Sequence, residues 1–307
     1  MLSGDVLQRF HVKRPLAKGG MGELWLADDE QHHDVVLKTV RDDLKDDDEV
    51  RRCFRREIAV TASVTHEHIV HHVAHGQVAG VEVLALEHIT GASLAELLDR
   101  SALPLGAALC VAEDVARALA YLHSLKDVDG AALEVVHGDI SPQNVVIDRF
   151  GQALLIDFGG ATWRGADVTP GMLVGKPGYI SPEQARGEPV DRRSDQFALG
   201  VVLWEMLVGR ALFSNEDVRR DLPVPPLSQF VPVPYVIEAA VVRLLAHDRE
   251  ARFTSTEEAA DVFAGAAWAH GVDDSRLWLA ERAWQIAAEL EALPAPVITS
   301  TSARTLR

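Results

Sequence analysis

The sequence has few cysteines and no long apolar run. Its two cysteines, Cys53 and Cys110, are too few among 307 residues to build a disulfide framework. No apolar stretch approaches the roughly 18 residues that a membrane-spanning helix needs. The first ten residues, MLSGDVLQRF, lack the apolar core of a signal peptide. These absences predict a protein of the reducing cytoplasm, without a membrane span.

Basic residues are also in deficit. The chain has 30 Lys and Arg against 46 Asp and Glu, for a net charge of −16. That charge argues against nucleic acids and anionic membranes as partners, since both attract basic surfaces. Hydrophobic residues make up 48% of the chain, so it can bury a core large enough for two lobes or domains.

The most informative stretch covers residues 136–160, VHGDISPQNVVIDRFGQALLIDFGG. Two short apolar runs, Val145–Ile147 and Leu154–Ile156, flank a polar turn that contains Gly151. Short apolar runs around a glycine turn predict a tight β-hairpin.

Three oxygen-bearing side chains lie at the ends of this hairpin. Asp139 and Asn144 precede the first strand, and Asp157 follows the second. In a folded hairpin these groups meet at one end. Carboxylate and amide oxygens there suit Mg²⁺ carried by phosphates.

The same residues carry a family resemblance. The pattern H-G-D-x-x-x-x-N followed by D-F-G resembles the catalytic and metal loops of protein kinases, here of the bacterial Ser/Thr type. The resemblance implies that Asp139 orients the substrate hydroxyl and accepts its proton, while Asn144 and Asp157 hold Mg²⁺. The string S-P-Q-N is closer to the K-P-x-N of Ser/Thr kinases than to A-A-R-N or R-A-A-N of tyrosine kinases.

A glycine-rich turn lies between two predicted strands in residues 16–27, LAKGGMGELWLA. Glycines let backbone N–H groups approach phosphate oxygens, although an ordinary hairpin turn would have the same composition. The segment resembles the glycine-rich loop of kinases, with Ala17 in place of its first glycine. The nucleotide contacts implied here are Leu16, Gly19, Gly20, Gly22 and Leu24.

Lys38 ends the apolar run Val35-Val36-Leu37. By itself it would be read as a lysine at a strand edge. The resemblance makes it the catalytic lysine that holds the α- and β-phosphates. Glu57, in a charged helix predicted over residues 42–64, falls where the family places the glutamate that pairs with this lysine.

Residues 87–91 follow a predicted strand, Val81–Leu86, and resemble the hinge between the two kinase lobes. Leu86 would be the gatekeeper. The resemblance implies adenine hydrogen bonds from the Glu87 carbonyl and the Ile89 N–H. The other residues implied to line the adenine pocket are Leu24, Val36 and Val146.

Three further matches lie downstream. Residues 178–183 resemble the end of an activation segment, with Ser181 in place of the usual alanine. Asp195 matches the aspartate that braces the catalytic loop, and Arg252 matches the arginine that pairs with Glu183. The resemblance therefore implies an α+β, bilobal protein-kinase-like fold.

This fold defines the expected domain organisation. The N-lobe, residues 10–86, would hold a small antiparallel sheet and one helix. The hinge would be residues 87–91, and the mainly helical C-lobe residues 92–268. Residues 1–9 would be an N-terminal extension, and residues 269–307 a helix and a disordered tail.

The extra helix is predicted over residues 273–291, with Leu277, Trp284 and Ala288 on one side. That side could pack on the C-lobe or bind a partner protein. The end of the chain, PAPVITSTSARTLR, is expected to be disordered.

Two departures from the family pattern affect the mechanism. Gly138 replaces the arginine that meets a phosphorylated activation loop, so phosphorylation of Thr162 or Thr169 is not expected to be required. Ser141 replaces the lysine that neutralises the γ-phosphate. Lys176 stands where Ser/Thr kinases usually have a threonine beside that lysine. We hypothesise that Lys176 supplies the missing charge; the alternative is that it faces substrate or solvent.

The sequence thus predicts Mg·ATP-dependent phosphoryl transfer to Ser/Thr hydroxyls of proteins. A pseudokinase or nucleotide-binding scaffold is the alternative, favoured by Ala17, Gly138 and Ser141 and opposed by the intact Lys38 and Asp139. A third hypothesis is a small-molecule phosphotransferase, since such enzymes share the H-G-D motif. The predicted activation segment argues against this hypothesis.

Overall fold

The computed structural model describes residues 10–78, 80–166, 175–213 and 223–292. Within these ranges a β-rich lobe with one long helix precedes a larger, mainly helical lobe. The predicted α+β, bilobal architecture is confirmed. The expected N-terminal extension and disordered tail lie outside the described residues.

The small lobe is built on a five-stranded antiparallel sheet with the strand order β1-β2-β3-β5-β4. Its strands are β1 (His11–Lys18), β2 (Gly22–Asp28), β3 (Asp34–Val40), β4 (His72–Val78) and β5 (Val81–Glu87). Leu24 lies opposite Lys38, and Val36 lies opposite Leu86. Because opposed residues share one face of a sheet, these four side chains lie on the same face.

The two faces of this sheet have different roles. On one face, Val35 and Leu37 join a small separate core that also contains Ala27 and Val83. Side chains alternate along a strand, so Lys38 projects to the opposite face. There Leu86 belongs to the large core. The alternation in Asp34–Val40 therefore directs the lysine inward, away from the outer core.

Helix α1 (Asp48–Ser63) covers the sheet in the small lobe. The carboxylate of Asp47 caps it by accepting the N–H groups of Glu49 and Val50. Residues 42–44, which we expected in this helix, form a separate 3-10 turn. The helix begins at the aspartate whose side chain makes the cap, so its start is later than predicted. Its buried face includes Glu57.

The predicted hairpin is present in the large lobe. Strands β6 (Gly91–Ser93), β7 (Val145–Asp148) and β8 (Ala153–Leu155) form a three-stranded antiparallel sheet. The second hairpin strand lies one residue earlier than predicted. At the turn, Gly151 has a φ of 76°, a left-handed conformation that favours glycine.

Seven helices of the described residues complete the large lobe: α2 (Leu94–Leu98), α3 (Leu105–Ser124), α4 (Pro182–Ala185), α5 (Arg192–Val208), α6 (Tyr235–Leu244), α7 (Thr256–Ala269) and α8 (Val272–Ala292). Helix α3 is rich in buried alanine and leucine and contacts α5, α7, α8 and β8. It is the central element that fixes the hairpin relative to the C-terminal helices.

Helix α8 packs on the large lobe by a face other than the one expected. Leu277, Trp284 and Ala288 are exposed. The buried positions are instead Leu279, Ala283 and Ile286. Both sets have helical spacing, and contacts with the distant β6, β7 and α3 decide between them. None of the described helices combines the length and apolar character needed to cross a bilayer.

Candidate active site

Lys38 on β3 lies between two carboxylates. Its Nζ is 2.5 Å from Glu57 Oε1 on α1 and 2.9 Å from Asp157 Oδ1, just after β8. One buried ammonium group therefore joins the sheet, the helix and the end of the hairpin. The backbone N–H of Gly159 also donates to Asp157 Oδ1, at 3.0 Å.

The electrostatics reflect one cation shared by two acids. Burial lowers the pKa of Lys38, but the charges of Glu57 and Asp157 outweigh it, so that the pKa lies above its ordinary value. Burial raises the pKa of Glu57 to about 7 against the opposing attraction of Lys38. Burial also disfavours the Asp157 carboxylate, yet Lys38 and its hydrogen bonds hold that pKa below its usual value.

Asp139 is held in position from two sides. The Asn144 side-chain amide donates to the Asp139 carbonyl at 2.8 Å and to its Oδ2 at 2.9 Å. The backbone N–H of Lys176 donates to Asp139 Oδ1 at 3.0 Å. The Ile156 N–H donates to the Asn144 carbonyl at 3.0 Å, which places Asn144 beside the residue before Asp157.

The structure thus gathers Asp139, Asn144 and Asp157 at one end of the hairpin. With two carboxylates and an amide, the donor set has the hard oxygens that Mg²⁺ prefers. The two acids that share Lys38 also leave a local excess of negative charge, which a divalent cation would neutralise. The residues present fit a metal–nucleotide complex.

Asp195 on α5 braces the catalytic loop. Its carboxylate accepts the backbone N–H groups of His137 and Gly138, each at 2.9 Å. His123 Nε2 lies 2.9 Å from Asp195 Oδ2. Burial disfavours the carboxylate, but these hydrogen bonds hold the pKa of Asp195 below its ordinary value. Gly138 has a φ of 77°, so a side chain here would be strained.

Lys176 bridges the activation segment and the catalytic loop. Its Nζ is 3.1 Å from Ser141 Oγ and 3.3 Å from Gln143 Oε1. The ammonium group therefore lies beside Ser141, the residue that stands in place of the expected catalytic-loop lysine. Its backbone and its side chain both contact the loop that carries Asp139.

Glu183 and Arg252 form a buried fork. Arg252 Nη1 donates to Glu183 Oε1 at 2.6 Å, and Nη2 donates to Oε2 at 2.9 Å. Burial opposes ionisation, but these bonds hold the pKa of Glu183 below its ordinary value. Ser181 caps α4 through a reciprocal pair of bonds with Gln184, which gives the serine at this position a structural purpose.

Two of the expected nucleotide-binding residues, Leu24 and Val36, share the face of the small sheet that carries Lys38. Leu16 is half-buried on β1, and Val146 is half-buried on β7. The turn between β1 and β2 is closed by the Gly19 N–H, which donates to the Gly22 carbonyl at 2.8 Å.

The hinge side chains are arranged as follows. The Glu87 carboxylate accepts the backbone N–H of His71 at 2.7 Å, so this side chain is engaged with the small lobe. Ile89 is half-buried and packs against the large core. Adenine recognition by the Glu87 carbonyl and the Ile89 N–H stays a prediction.

Sequence reasoning missed several residues that support this site. The Arg41 guanidinium donates to the carbonyls of Gly19 and Gly20, at 3.3 and 3.0 Å, and so restrains the glycine turn. Gln184 Nε2 donates to the Gly138 carbonyl at 3.2 Å. His123 was also missed. Each acts through a loop backbone or a distant element, so no local pattern reveals it.

Comparisons with known proteins identify the class. The protein kinase domain model matches residues 10–261. The chain therefore belongs to the protein kinase domain family. Membership implies ATP and a divalent metal ion as the general requirements of the site.

Curated relatives are bacterial kinases. The chain is 35% identical over 269 residues to the tyrosine-protein kinase MasK of Myxococcus xanthus, covering 81% of this chain and 41% of that protein. It is 33% identical to the serine/threonine-protein kinase pkn2 of Myxococcus xanthus, covering 87% and 34%. It is 31% identical to PrkC, a serine/threonine-protein kinase of Bacillus subtilis, covering 81% and 39%. The chain thus spans less than half the length of these relatives.

Solved structures agree with the fold. The crystal structure of the PknI kinase domain of Mycobacterium tuberculosis is 30% identical and superimposes with a TM-score of 0.68, covering 85% of this chain and 96% of that chain.

Proposed function

We propose that this chain transfers the γ-phosphoryl group of Mg·ATP to Ser or Thr hydroxyls of proteins in the cytoplasm. The kinase domain would comprise residues 10–268, divided at a hinge over residues 87–91. The observation that carries the proposal is the position of Asp139, held by Asn144 and by the Lys176 backbone with the Lys176 ammonium group beside Ser141.

Asp139 would orient the substrate hydroxyl and accept its proton at a carboxylate oxygen. The hydroxyl oxygen forms a bond to the γ-phosphorus while the bond to the oxygen bridging the β- and γ-phosphates breaks. Asn144 and Asp157 would hold Mg²⁺, which neutralises phosphate charge when bound. Lys38, positioned by Glu57, would contact the α- and β-phosphates. Positioning and charge stabilisation then supply most of the rate enhancement.

Lys176 would supply the cation that Ser141 cannot. The two residues are in contact, at 3.1 Å, so an ammonium group on residue 176 can occupy the region that a lysine at 141 would reach. A single charge-stabilising donor is worth on the order of 10²–10³ in rate. The proposal explains how the chain can depart from the family pattern at both positions and remain active.

Hydroxyl specificity rests on the S-P-Q-N string and on the relatives named as serine/threonine kinases. One relative of similar identity is named a tyrosine kinase. Phosphoamino-acid analysis of the labelled products decides the point: phosphoserine and phosphothreonine are expected, and phosphotyrosine alone would refute the Ser/Thr assignment.

The first experiment is incubation with γ-labelled ATP, Mg²⁺ and a generic basic protein, beside an Asp139→Asn variant. Label transfer that is lost in the variant is the expected result. If wild-type protein is stabilised thermally by Mg·ATP but transfers no label, the chain is a nucleotide-binding scaffold instead.

Lys176→Ala is expected to lower turnover on the order of 10²-fold, and adding Ser141→Lys to that variant should restore activity. Lys45→Ala is the matched control, because Lys45 forms an exposed pair with Asp42 away from the site. Unchanged turnover in Lys176→Ala would exclude the charge replacement.

The exposed surface of α8 formed by Leu277, Trp284 and Ala288 is our candidate for contact with a partner protein. Pull-down with Trp284→Ser as the negative control tests it.

A further inference from the structure

Helix α8 lies beyond the residues matched by the kinase domain model, yet it contacts the hairpin that carries the metal-binding end of the site. Arg276 on α8 forms a fork with Asp114 on α3: Nη1 donates to Oδ2 at 2.5 Å and Nη2 donates to Oδ1 at 2.6 Å. The Asp114 carboxylate is almost fully buried, whereas the Arg276 side chain is 21% exposed. Arg276 Nη1 also donates to the Gly151 carbonyl at 3.0 Å, in the turn of the hairpin.

The Asp114 carboxylate passes this restraint on to β8. Its Oδ2 accepts the backbone N–H of Ala153, the first residue of β8, at 2.8 Å. Strand β8 ends at Leu155, two residues before Asp157. The fork therefore fixes the start of the short strand whose continuation carries the metal-binding carboxylate.

The same cluster reaches the segment after α1. His68 Nδ1 lies 3.1 Å from the Ala153 carbonyl, and its Nε2 lies 3.5 Å from Asp114 Oδ1. The Leu155 N–H donates to the His68 carbonyl at 2.9 Å, and the Val70 N–H donates to the Leu155 carbonyl at 2.9 Å. Residues 68–70 lead back to α1, which carries Glu57.

We propose that Arg276 is a positioning residue of the active site. Through Asp114 it fixes β8 and the segment after α1, and so sets the relative positions of Asp157 and Glu57 around Lys38. Residues 272–292 are then a functional part of the kinase domain. The inference rests on the proposed function, in which Asp157 holds Mg²⁺.

The packing at Gly151 supports this role independently. A Cβ atom at this position would collide with the Arg276 backbone carbonyl. The turn of the hairpin is therefore in direct contact with the α8 backbone, with no room for a side chain between them.

The test compares variants of the 307-residue chain well below their melting temperatures. Arg276→Met removes the fork and is expected to lower kcat by about 10- to 100-fold and to raise the Mg²⁺ concentration needed for half-maximal rate. Arg276→Lys keeps the charge but cannot form the two parallel bonds to Asp114. This variant should partly restore both kcat and the Mg²⁺ dependence. A merely structural role would change the melting temperature and leave the Mg²⁺ dependence unchanged.

Two controls separate positioning from packing. Arg100→Met breaks the exposed pair with Glu289 that also tethers α8, at 2.6 Å. Ile286→Ala removes a buried side chain of α8 and destabilises the protein without touching the fork. Both should keep the wild-type kcat and Mg²⁺ dependence. If Arg276→Met behaves like Ile286→Ala, the inference is overturned.

Two additions keep the test decisive. If Arg276→Met does not fold, the double variant Asp114→Asn/Arg276→Met leaves no unpaired buried charge and should still show the weakened Mg²⁺ dependence; a wild-type dependence in it would overturn the inference. If the wild type transfers no phosphate, calorimetric titration with ADP replaces kinetics. Arg276→Met should then lose the gain in affinity that Mg²⁺ gives the wild type. A gain retained in Arg276→Met would overturn this inference alone, whereas a wild type without such a gain would refute the proposed function.

Discussion

The Lys38–Glu57 and Arg252–Glu183 pairs are both buried, but they are built differently. Arg252 meets Glu183 through two parallel bonds and also donates to the carbonyls of Ala246 and Arg193. The Glu183 carboxylate in addition accepts the Ser194 hydroxyl at 2.8 Å. Both charged groups of this pair have all their hydrogen-bonding partners within the protein, as expected for an ion pair with a structural role.

Lys38, by contrast, is a point charge shared between Glu57 and Asp157. The pKa values follow the difference: burial raises the pKa of Glu57 to about 7, whereas the fork keeps the pKa of Glu183 below its ordinary value. The Asp157 side chain is also 41% exposed, against 1% for Glu183. Because Lys38 is shared with the partly exposed Asp157, it is the charge that can exchange partners with a ligand.

The largest expected effect comes from breaking the Arg252–Glu183 pair. Arg252→Met leaves Glu183 buried without a cation, which typically costs about 3–5 kcal/mol of unfolding free energy. Urea denaturation measures the loss. Arg186→Met is the control, because its exposed pair with Glu188 should be worth about 0–1 kcal/mol. Equal losses of unfolding free energy in the two variants would show that the buried Arg252–Glu183 pair does not stabilise the fold more than an exposed pair does.

Glu57→Gln should show the opposite signature. Glutamine keeps the shape but loses the charge that positions Lys38, so kcat/KM for ATP should fall on the order of 10²-fold. Near pH 5, where the raised pKa of Glu57 keeps its carboxyl mostly neutral, the unfolding free energy should change by only about 1 kcal/mol, since both side chains are then uncharged. Steady-state kinetics and urea denaturation on one preparation measure both. A severe loss of stability with normal kinetics would reverse the roles we assign to the two pairs.

The pH dependence sharpens the contrast. The raised pKa of Glu57 means that its carboxylate is disfavoured in the fold, so its contribution to stability is full below its ordinary pKa and is lost as the pH rises through about 7. The lowered pKa of Glu183 has the opposite sign: its contribution is present above the ordinary value and is lost as the pH falls.

Wild type should therefore lose stability relative to Glu57→Gln between about pH 5 and pH 8, by at most about 1.4 kcal/mol per pH unit. Over the same range kcat/KM should rise in wild type, because the charged carboxylate holds Lys38, and should stay level in the variant. Denaturation and kinetics at a series of pH values measure the two trends. Parallel profiles for the two proteins would contradict a Glu57 titration.

The smallest effect is expected for the two threonines of the activation segment. Gly138 replaces the arginine that would pair with a phosphorylated threonine, so Thr162→Ala/Thr169→Ala should keep activity within about twofold of wild type. Thr162 is held through its backbone, which exchanges two hydrogen bonds with Val136 at 2.9 Å each. Thr169 lies outside the described residues. Mass spectrometry and rate measurements on both proteins test the point, and a loss above tenfold would show that loop phosphorylation matters.

Much of the fold could be predicted because local patterns agreed with it. The hairpin follows from two apolar runs around Gly151, and the inward direction of Lys38 follows from strand alternation. The start of α1 was missed because several aspartates precede it and only Asp47 has the geometry of a cap. The sequence alone does not tell which of several neighbouring aspartates caps the helix, because the cap depends on backbone angles.

The support of the site was harder to predict. The packed face of α8 depends on Arg276 meeting Asp114, which lies 162 residues earlier in the chain. Before the fold is known, Leu277 and Trp284 have the same helical spacing as Leu279 and Ile286. Roles that depend on a single long-range pair leave no periodic signal, so Arg41, Gln184 and Arg276 appear only in three dimensions.

Gly151 has a consequence for the mutational tolerance of the chain. Its backbone is left-handed, and the space for a Cβ atom is taken by the α8 backbone. In a library of all single substitutions selected for activity, every replacement of Gly151 should be depleted, alanine included. The exposed turn glycine Gly130 has a similar φ of 82° with nothing near its missing Cβ, and should accept asparagine. A glycine remote from the chemistry would then be as restricted as Asp139, which we propose accepts the substrate proton.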